Sequence, residues 1–125
     1  MALERINPSN LAQPRGYTHV VKAGNTVYIA GQVGRRPDGT LAGSDIGSQT
    51  DQVFKNLRAA LASVGAGFEH MTKITVFLTH REDIPGFRTA RDKHVTGEPP
   101  ASTLVLISGL AEPEFRVEVE ATAVI

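Results

Sequence analysis

Only two stretches of this chain carry helical periodicity, against five that read as strands, and that imbalance most restricts its fold. Two helices cover one face of a sheet of about five or six strands and leave the other bare. Residues 17–23 and 26–31 are expected to form a hairpin turning at Gly24-Asn25. A loop rich in Gly, Pro, Asp and Ser then runs from Gly31 to Gly47, with a turn at Arg36-Pro37-Asp38-Gly39. Val53, Leu57, Ala60, Leu61 and Val64 recur at helical spacing. Ser48-x-x-Asp51 reads as the capping box of that helix, and Gly65 and Gly67 as its stop. In the strand at 71–79, Ile74, Val76 and Leu78 point one way, Lys73, Thr75, Phe77 and Thr79 the other. A second helix is expected from Asp83 to Val95, with Pro85 in its first turn. Strands at 102–108 and 115–124 complete the α+β order β-β-α-β-α-β-β. In the last strand Val117, Val119, Ala121 and Ala123 share one face, while Arg116, Glu118, Glu120 and Thr122 share the other.

The segment Ser102 to Ile107 is apolar on both faces, and Tyr28 and Phe77 sit opposite the aliphatic sides of their own strands. Such a pattern belongs to strands buried on both sides. The face that the helices leave bare is therefore expected to pack against another subunit. The alternative is that the Gly31–Gly47 loop folds back over it.

Residues 1–125 read as one domain, without repeats or a dividing linker, and 41% hydrophobic residues are enough for a single core. Thirteen basic and thirteen acidic residues cancel, which argues against a broad footprint for nucleic acid or anionic membrane. The chain has no cysteine, so disulfides, thiolate nucleophiles and cysteine metal sites are excluded. No stretch approaches the roughly 18 apolar residues of a membrane span, and no apolar signal segment opens the chain. A cytoplasmic address is expected. His19, His70, His80 and His94 lack metal-ligating spacing and are expected at the surface or at strand edges, so no metal or cofactor is invoked. Gly31-x-x-Gly34 before Arg35-Arg36 lacks the lysine and the following helix of a phosphate loop.

Glu120 stands out, because it belongs to the face expected to be enclosed. A carboxylate there must be paired, hydrated or functional. An ion pair with Arg116, or with an arginine of a neighbouring subunit, is the structural alternative to catalysis.

Several blocks, in order, resemble the reactive intermediate deaminase (RidA, YjgF, L-PSP) family. They are Gly16-Tyr17, Ala30-Gly31-Gln32, Lys73-Ile74-Thr75-Val76-Phe77-Leu78, Pro100-Ala101-Ser102-Thr103, and Val117 through Val124. The resemblance implies a chorismate-mutase-like fold, a homotrimer, and ligand sites in clefts between subunits. It also implies hydrolysis of a reactive imine or enamine to a 2-oxo acid and ammonia. On that likeness Glu120 orients the attacking water, Tyr17 shapes the pocket, the backbone of Leu104 helps place the water, and Ala30, Gly31, Gln32 and Thr103 line the site. The family's deaminating members carry a carboxylate-binding arginine directly after Pro-Ala, and here that position is Ser102. A serine common in the family is Ala30, and positions often held by asparagine and tyrosine are Arg88 and Arg91. One helical turn apart, Arg88 and Arg91 share a face and are candidates for a relocated anion anchor; a solvated surface is the alternative.

Three functions follow. The first is an imine or enamine deaminase acting on a small metabolite other than the 2-aminoacrylate type. The second is a trimer that binds a metabolite, or acts in a chaperone-like way, without turnover. The third is endoribonuclease activity, the least supported, since no aromatic–basic platform for RNA is present.

Overall fold

The computed structural model describes residues 2–125. Six strands form one sheet: β1 (Leu3–Ile6), β2 (Val20–Ala23), β3 (Thr26–Gln32), β4 (Met71–Leu78), β5 (Ala101–Leu106) and β6 (Val117–Val124). Their order across the sheet is β1-β2-β3-β6-β4-β5. Every pairing is antiparallel except β4 with β5, which are parallel. Parallel neighbours need a crossover. That crossover is the second helix, α2 (Ile84–Asp92); the first, α1 (Ile46–Ala62), connects β3 to β4.

The expected hairpin forms at Gly24-Asn25, with Gly24 at φ +61° as a two-residue turn of the II′ kind requires. The turn at Arg36–Gly39 forms as well, closed by Gly39 N–H to the Arg36 carbonyl at 2.8 Å. Helix α1 starts earlier than the capping-box reading placed it. Asp45 is the N-cap, its carboxylate accepting from the Ser48 N–H at 2.9 Å. Asp51 faces sideways instead, where its Oδ1 meets His94 Nε2 at 2.6 Å and ties α1 to the end of α2. Strand β1 was not expected: Leu-Glu-Arg-Ile is short, shows no alternation and lies exposed at the sheet edge.

The core fills the space between one sheet face and the two helices. Val20, Val27, Ile29, Ile74, Val76, Leu78, Val117, Val119, Ala121 and Ala123 project from the strands onto Val53, Phe54, Leu57, Leu61 and Phe87. The Gly31–Gly47 loop does not cover the other face. Asn56 Nδ2 donates to the carbonyls of Val33 (3.1 Å) and Arg35 (2.9 Å), and Gln49 Nε2 to that of Gly43 (3.0 Å), holding the loop along α1. The bare face stays open within the chain, with Tyr28, Val105 and Val124 at 53, 37 and 47% exposure.

Gln49 is fully buried and also bonds the Glu114 carbonyl and the Arg116 N–H, both at 2.9 Å. Gly34 lies against it: an added Cβ would sit 2.8 Å from Gln49 Cβ and 2.9 Å from its Cα. Backbone of a packed helix cannot yield as a side-chain tip can. Gly34→Ala is therefore expected to cost about 1–3 kcal/mol by overpacking. Urea unfolding would report it as a lower midpoint at unchanged slope.

Candidate functional site

Glu120 stands on β6 directly across from Thr75 of β4. Because β6 sends Val117, Val119, Ala121 and Ala123 into the core, strand alternation turns Glu120 to the bare face. Around it that face dips into a cavity of about 450 Å³. Thr18, Thr75 and Thr122 bring hydroxyls to its lining, Val21, Tyr28 and Ala30 bring apolar surface, and Lys73 brings a cation. Glu120 itself is exposed and has no ion-pair partner among the described residues. Arg116, the partner considered from sequence, is engaged elsewhere. Its Nε and Nη2 hold the nearly buried carboxylate of Asp83 at 2.7 and 3.1 Å, fastening the entry of α2 to the start of β6.

Glu118 shares the open face two residues away. Its carboxylate lies over Gly31 so closely that a Cβ there would fall 1.9 Å from Oε2. Burial pushes the Glu118 carboxyl above its ordinary range, and the charge of Glu120 adds to the shift. Lys73 is half-buried. Its Nζ donates to Thr103 Oγ1 at 3.0 Å, the Ile74 carbonyl at 3.1 Å and Thr75 Oγ1 at 3.4 Å.

The Ala30-Gly31-Gln32 block forms a β-bulge. Ile29 pairs with Ala121 and Gln32 with Val119, so β3 takes three steps where β6 takes two. Ala30 keeps the alternation of β3 and faces the cavity, while the bulge turns Gln32 inward, where it is buried. Its Nε2 donates to the Ala30 carbonyl at 3.0 Å and to His19 Nδ1 at 3.2 Å. The other ring nitrogen of His19 then donates to the Ala12 carbonyl at 2.7 Å. His19 is thus buried in a network, and His94 is nearly buried against Phe54 and Asp51; for these two the expected surface position is corrected.

The remaining sequence candidates separate. Tyr17 is 51% exposed and packs edge-on against the His19 ring at 5.4 Å, outside the Glu120 cavity; its neighbour Thr18 lines it instead. In the parallel register Ser102 pairs with Ile74 and Leu104 with Val76, which puts both side chains on the helix side of the sheet. Thr103 pairs with Thr75 and faces the open side. β5 is an edge strand, so its outer side, Leu104 included, has no neighbouring strand among the described residues. Arg88 is exposed on α2, and Arg91 lies over the Phe87 ring at 5.9 Å while pairing with Asp92. Both arginines stand across the sheet from Glu120, so neither completes the cavity of its own chain.

Sequence reading did not single out Lys73, Thr18, Thr75, Thr122 or Glu118. For four of them the signal was alternation, which placed Lys73 and Thr75 opposite the apolar side of their strand and Glu118 and Thr122 beside Glu120. Only the β4–β6 register gathers them at one spot.

The family model described as Endoribonuclease L-PSP matches residues 8–125. A RutC family protein of Pyrococcus abyssi is 31% identical over 125 residues, covering 98% of each chain. The 2-iminobutanoate/2-iminopropanoate deaminase of Dermatophagoides farinae is 32% identical over 129 residues, covering 100% of this chain and 99% of that one. Among solved structures, RidA from an Antarctic Psychrobacter superposes with a TM-score of 0.92 at 28% identity, covering 98% of this chain and 99% of that one. Matched from residue 8 to its end in sequence and nearly throughout in structure, this chain belongs to the RidA/YjgF/L-PSP family and has its chorismate-mutase-like fold.

Proposed function

We propose that this protein hydrolyses the C=N bond of a small reactive imine, or the imine tautomer of an enamine, giving a carbonyl product and ammonia. The observation that carries the reading is the state of Glu120: an exposed carboxylate without an ion-pair partner among the described residues, set among threonine hydroxyls in a cavity. Such a group can take a proton from water as the oxygen attacks the imine carbon. The proton passes from Glu120 to the nitrogen of the resulting carbinolamine, whose C–N bond then breaks to release ammonia and restore the carboxylate, so the net reaction is imine plus water to carbonyl plus ammonia. Deaminase activity is named for the mite relative, which supports this class of chemistry.

The finer reading is a homotrimer whose copies pack by their bare sheet faces and close the Glu120 cavity into a cleft. The exposed Tyr28, Val105 and Val124 on an uncovered face support it. With Ser102 in the arginine position and facing the helix side, the substrate is proposed to differ from 2-aminoacrylate-type imines. Among the described residues no helix is long and apolar enough to cross a membrane. A cytoplasmic address is kept as part of the proposal; the name of the yeast relative Mmf1 places that protein in the mitochondrion. RNA is left out as a substrate, given thirteen basic against thirteen acidic residues.

The test is release of ammonia from a panel of imino acids generated in situ by an amino-acid oxidase, with light scattering for the mass in solution. Turnover above the rate of spontaneous hydrolysis, from a particle of three copies, is expected. Ligand-dependent thermal shifts without product across the panel would favour the second reading, a metabolite-binding trimer, which the absence of the family arginine independently supports.

A further inference from the structure

His94 follows α2 on the helix side of the sheet, across from Glu120, and its side chain is only 9% exposed. The ring stacks on Phe54, and Nε2 meets Asp51 Oδ1 at 2.6 Å. Lys55 Nζ holds the other oxygen of that carboxylate at 3.1 Å. A carboxylate only accepts, so Nε2 carries the ring proton, and in the neutral ring Nδ1 is an acceptor. Nδ1 has no partner among the described residues and is not sealed from solvent. The opening it faces is a cavity of about 700 Å³ that His94 lines. Stacking on Phe54 would need only a hydrocarbon ring; the carboxylate adds control over which nitrogen meets the opening. Arg58 and Glu98 line the same cavity, and neither has an ion-pair partner among the described residues. The Arg58 guanidinium is held over the Phe68 ring at 5.1 Å.

We propose that this cavity is a second ligand site, separate from that of Glu120, and that it takes a small free amino acid as its zwitterion. A lone anion would face the carboxylates of Glu69 and Glu98, and a lone cation would face Arg58. One molecule carrying both signs answers both. Its ammonium donates to His94 Nδ1 and to Glu98, and its carboxylate accepts from Arg58. An aliphatic side chain lies against Phe68 and Val95, which supply the apolar part of the lining. The volume is within the range of pockets for small molecules. This assignment does not depend on the deaminase reading. The trimer proposed above packs by the bare sheet faces, so this helix-side cavity stays open in the assembled protein. An occupant bridges α1, the segment after it and the segment after α2, and binding is expected to raise the unfolding temperature.

The probe is L-valine, titrated calorimetrically into the full-length protein. Its controls are 3-methylbutanoate, which lacks the ammonium, and 2-methylpropylamine, which lacks the carboxylate. Wild type is expected to bind valine more tightly than either control by about tenfold or more. Arg58→Met and Glu98→Gln change exposed residues and should each weaken valine binding by about 10–100-fold. His94→Phe keeps a ring against Phe54 but removes the acceptor, and should weaken binding to a similar degree. The two surface variants keep the proposal testable if the phenylalanine variant does not fold. A nitrogen NMR spectrum gives a readout that a merely structural role for His94 would not move. Valine should shift the Nδ1 resonance of His94 while Nε2 keeps its proton. Glu120→Gln should bind valine as wild type does. Absence of valine binding would overturn the assignment, as would a control that binds equally well. Valine binding that Glu120→Gln abolishes and Arg58→Met spares would overturn it too, by moving the ligand to the sheet-face cavity.

Discussion

Glutamine in place of Glu120 is expected to lower imine turnover by about 10²–10⁴-fold, the range for losing a positioned general base. The amide keeps the size and hydrogen-bonding reach of the carboxylate but cannot accept a proton from water. The loss should fall on kcat, because the substitution leaves the apolar lining of the cavity in place. Stability should change by no more than about 0.5 kcal/mol, since the side chain is exposed and unpaired. A second readout is independent of activity. The charge of Glu120 contributes to holding the Glu118 carboxyl above its ordinary range, so removing it should bring Glu118 down. An NMR pH titration of the two side chains would follow this. Turnover that survives the substitution would transfer the base to Glu118 and break the mechanism proposed for this cavity.

The largest loss of stability is expected from Phe54→Ala, about 3–5 kcal/mol. Phe54 is fully buried at the meeting point of both helices. Its ring lies 6.1 Å from Phe68 edge-on, 6.2 Å from Phe87 at a tilt, and stacks on His94 at 5.8 Å with 17° between planes. Truncation removes the transfer free energy of the ring and leaves a hole bordered by Phe68, Phe87 and His94, so collapse can fill little of it. Domains of this size are held by about 5–15 kcal/mol, which makes the change a large share of the whole. Denaturant unfolding would measure it, with Phe54→Leu as the milder companion. A cost below about 1.5 kcal/mol, the bound for volume-conserving exchange, would mean that the core repacks around the gap.

How much of this was legible in the sequence depended on the kind of signal. Strand β6 alternates strictly, as β4 does from Lys73 onward after an irregularity between Met71 and Lys73, and those inward and outward faces were read residue by residue. Helix α1 was legible from its stripe but not at its start, because Asp45 and Ser48 both suit a cap and only backbone geometry separates them. Strand β1 has no pattern of its own; it exists because β2 offers it a partner. Glu120 and Ala30 were named from the sequence, and both line the cavity of the open face. Tyr17, Ser102, Arg88 and Arg91 lie away from the Glu120 cavity of their own chain, because their facing depends on register and layer rather than on neighbours in the chain. Lys73 was placed on the right face but passed over, since nothing local distinguishes a surface lysine from one that overlooks a carboxylate on the next strand.

The extra residue that β3 carries at Ala30-Gly31 divides that strand into two independently adjustable halves. Tyr28 and Ala30, before the irregularity, answer to whatever small molecule the cavity must admit. Gln32, after it, answers to His19, to the N-terminal segment that His19 anchors and to the backbone carbonyl of Ala30. Substitutions at the first two positions can retune what fits beside Glu120 while the fastening of the N-terminal arm is left alone, so ligand preference can drift across relatives without a compensating repair elsewhere in the sheet.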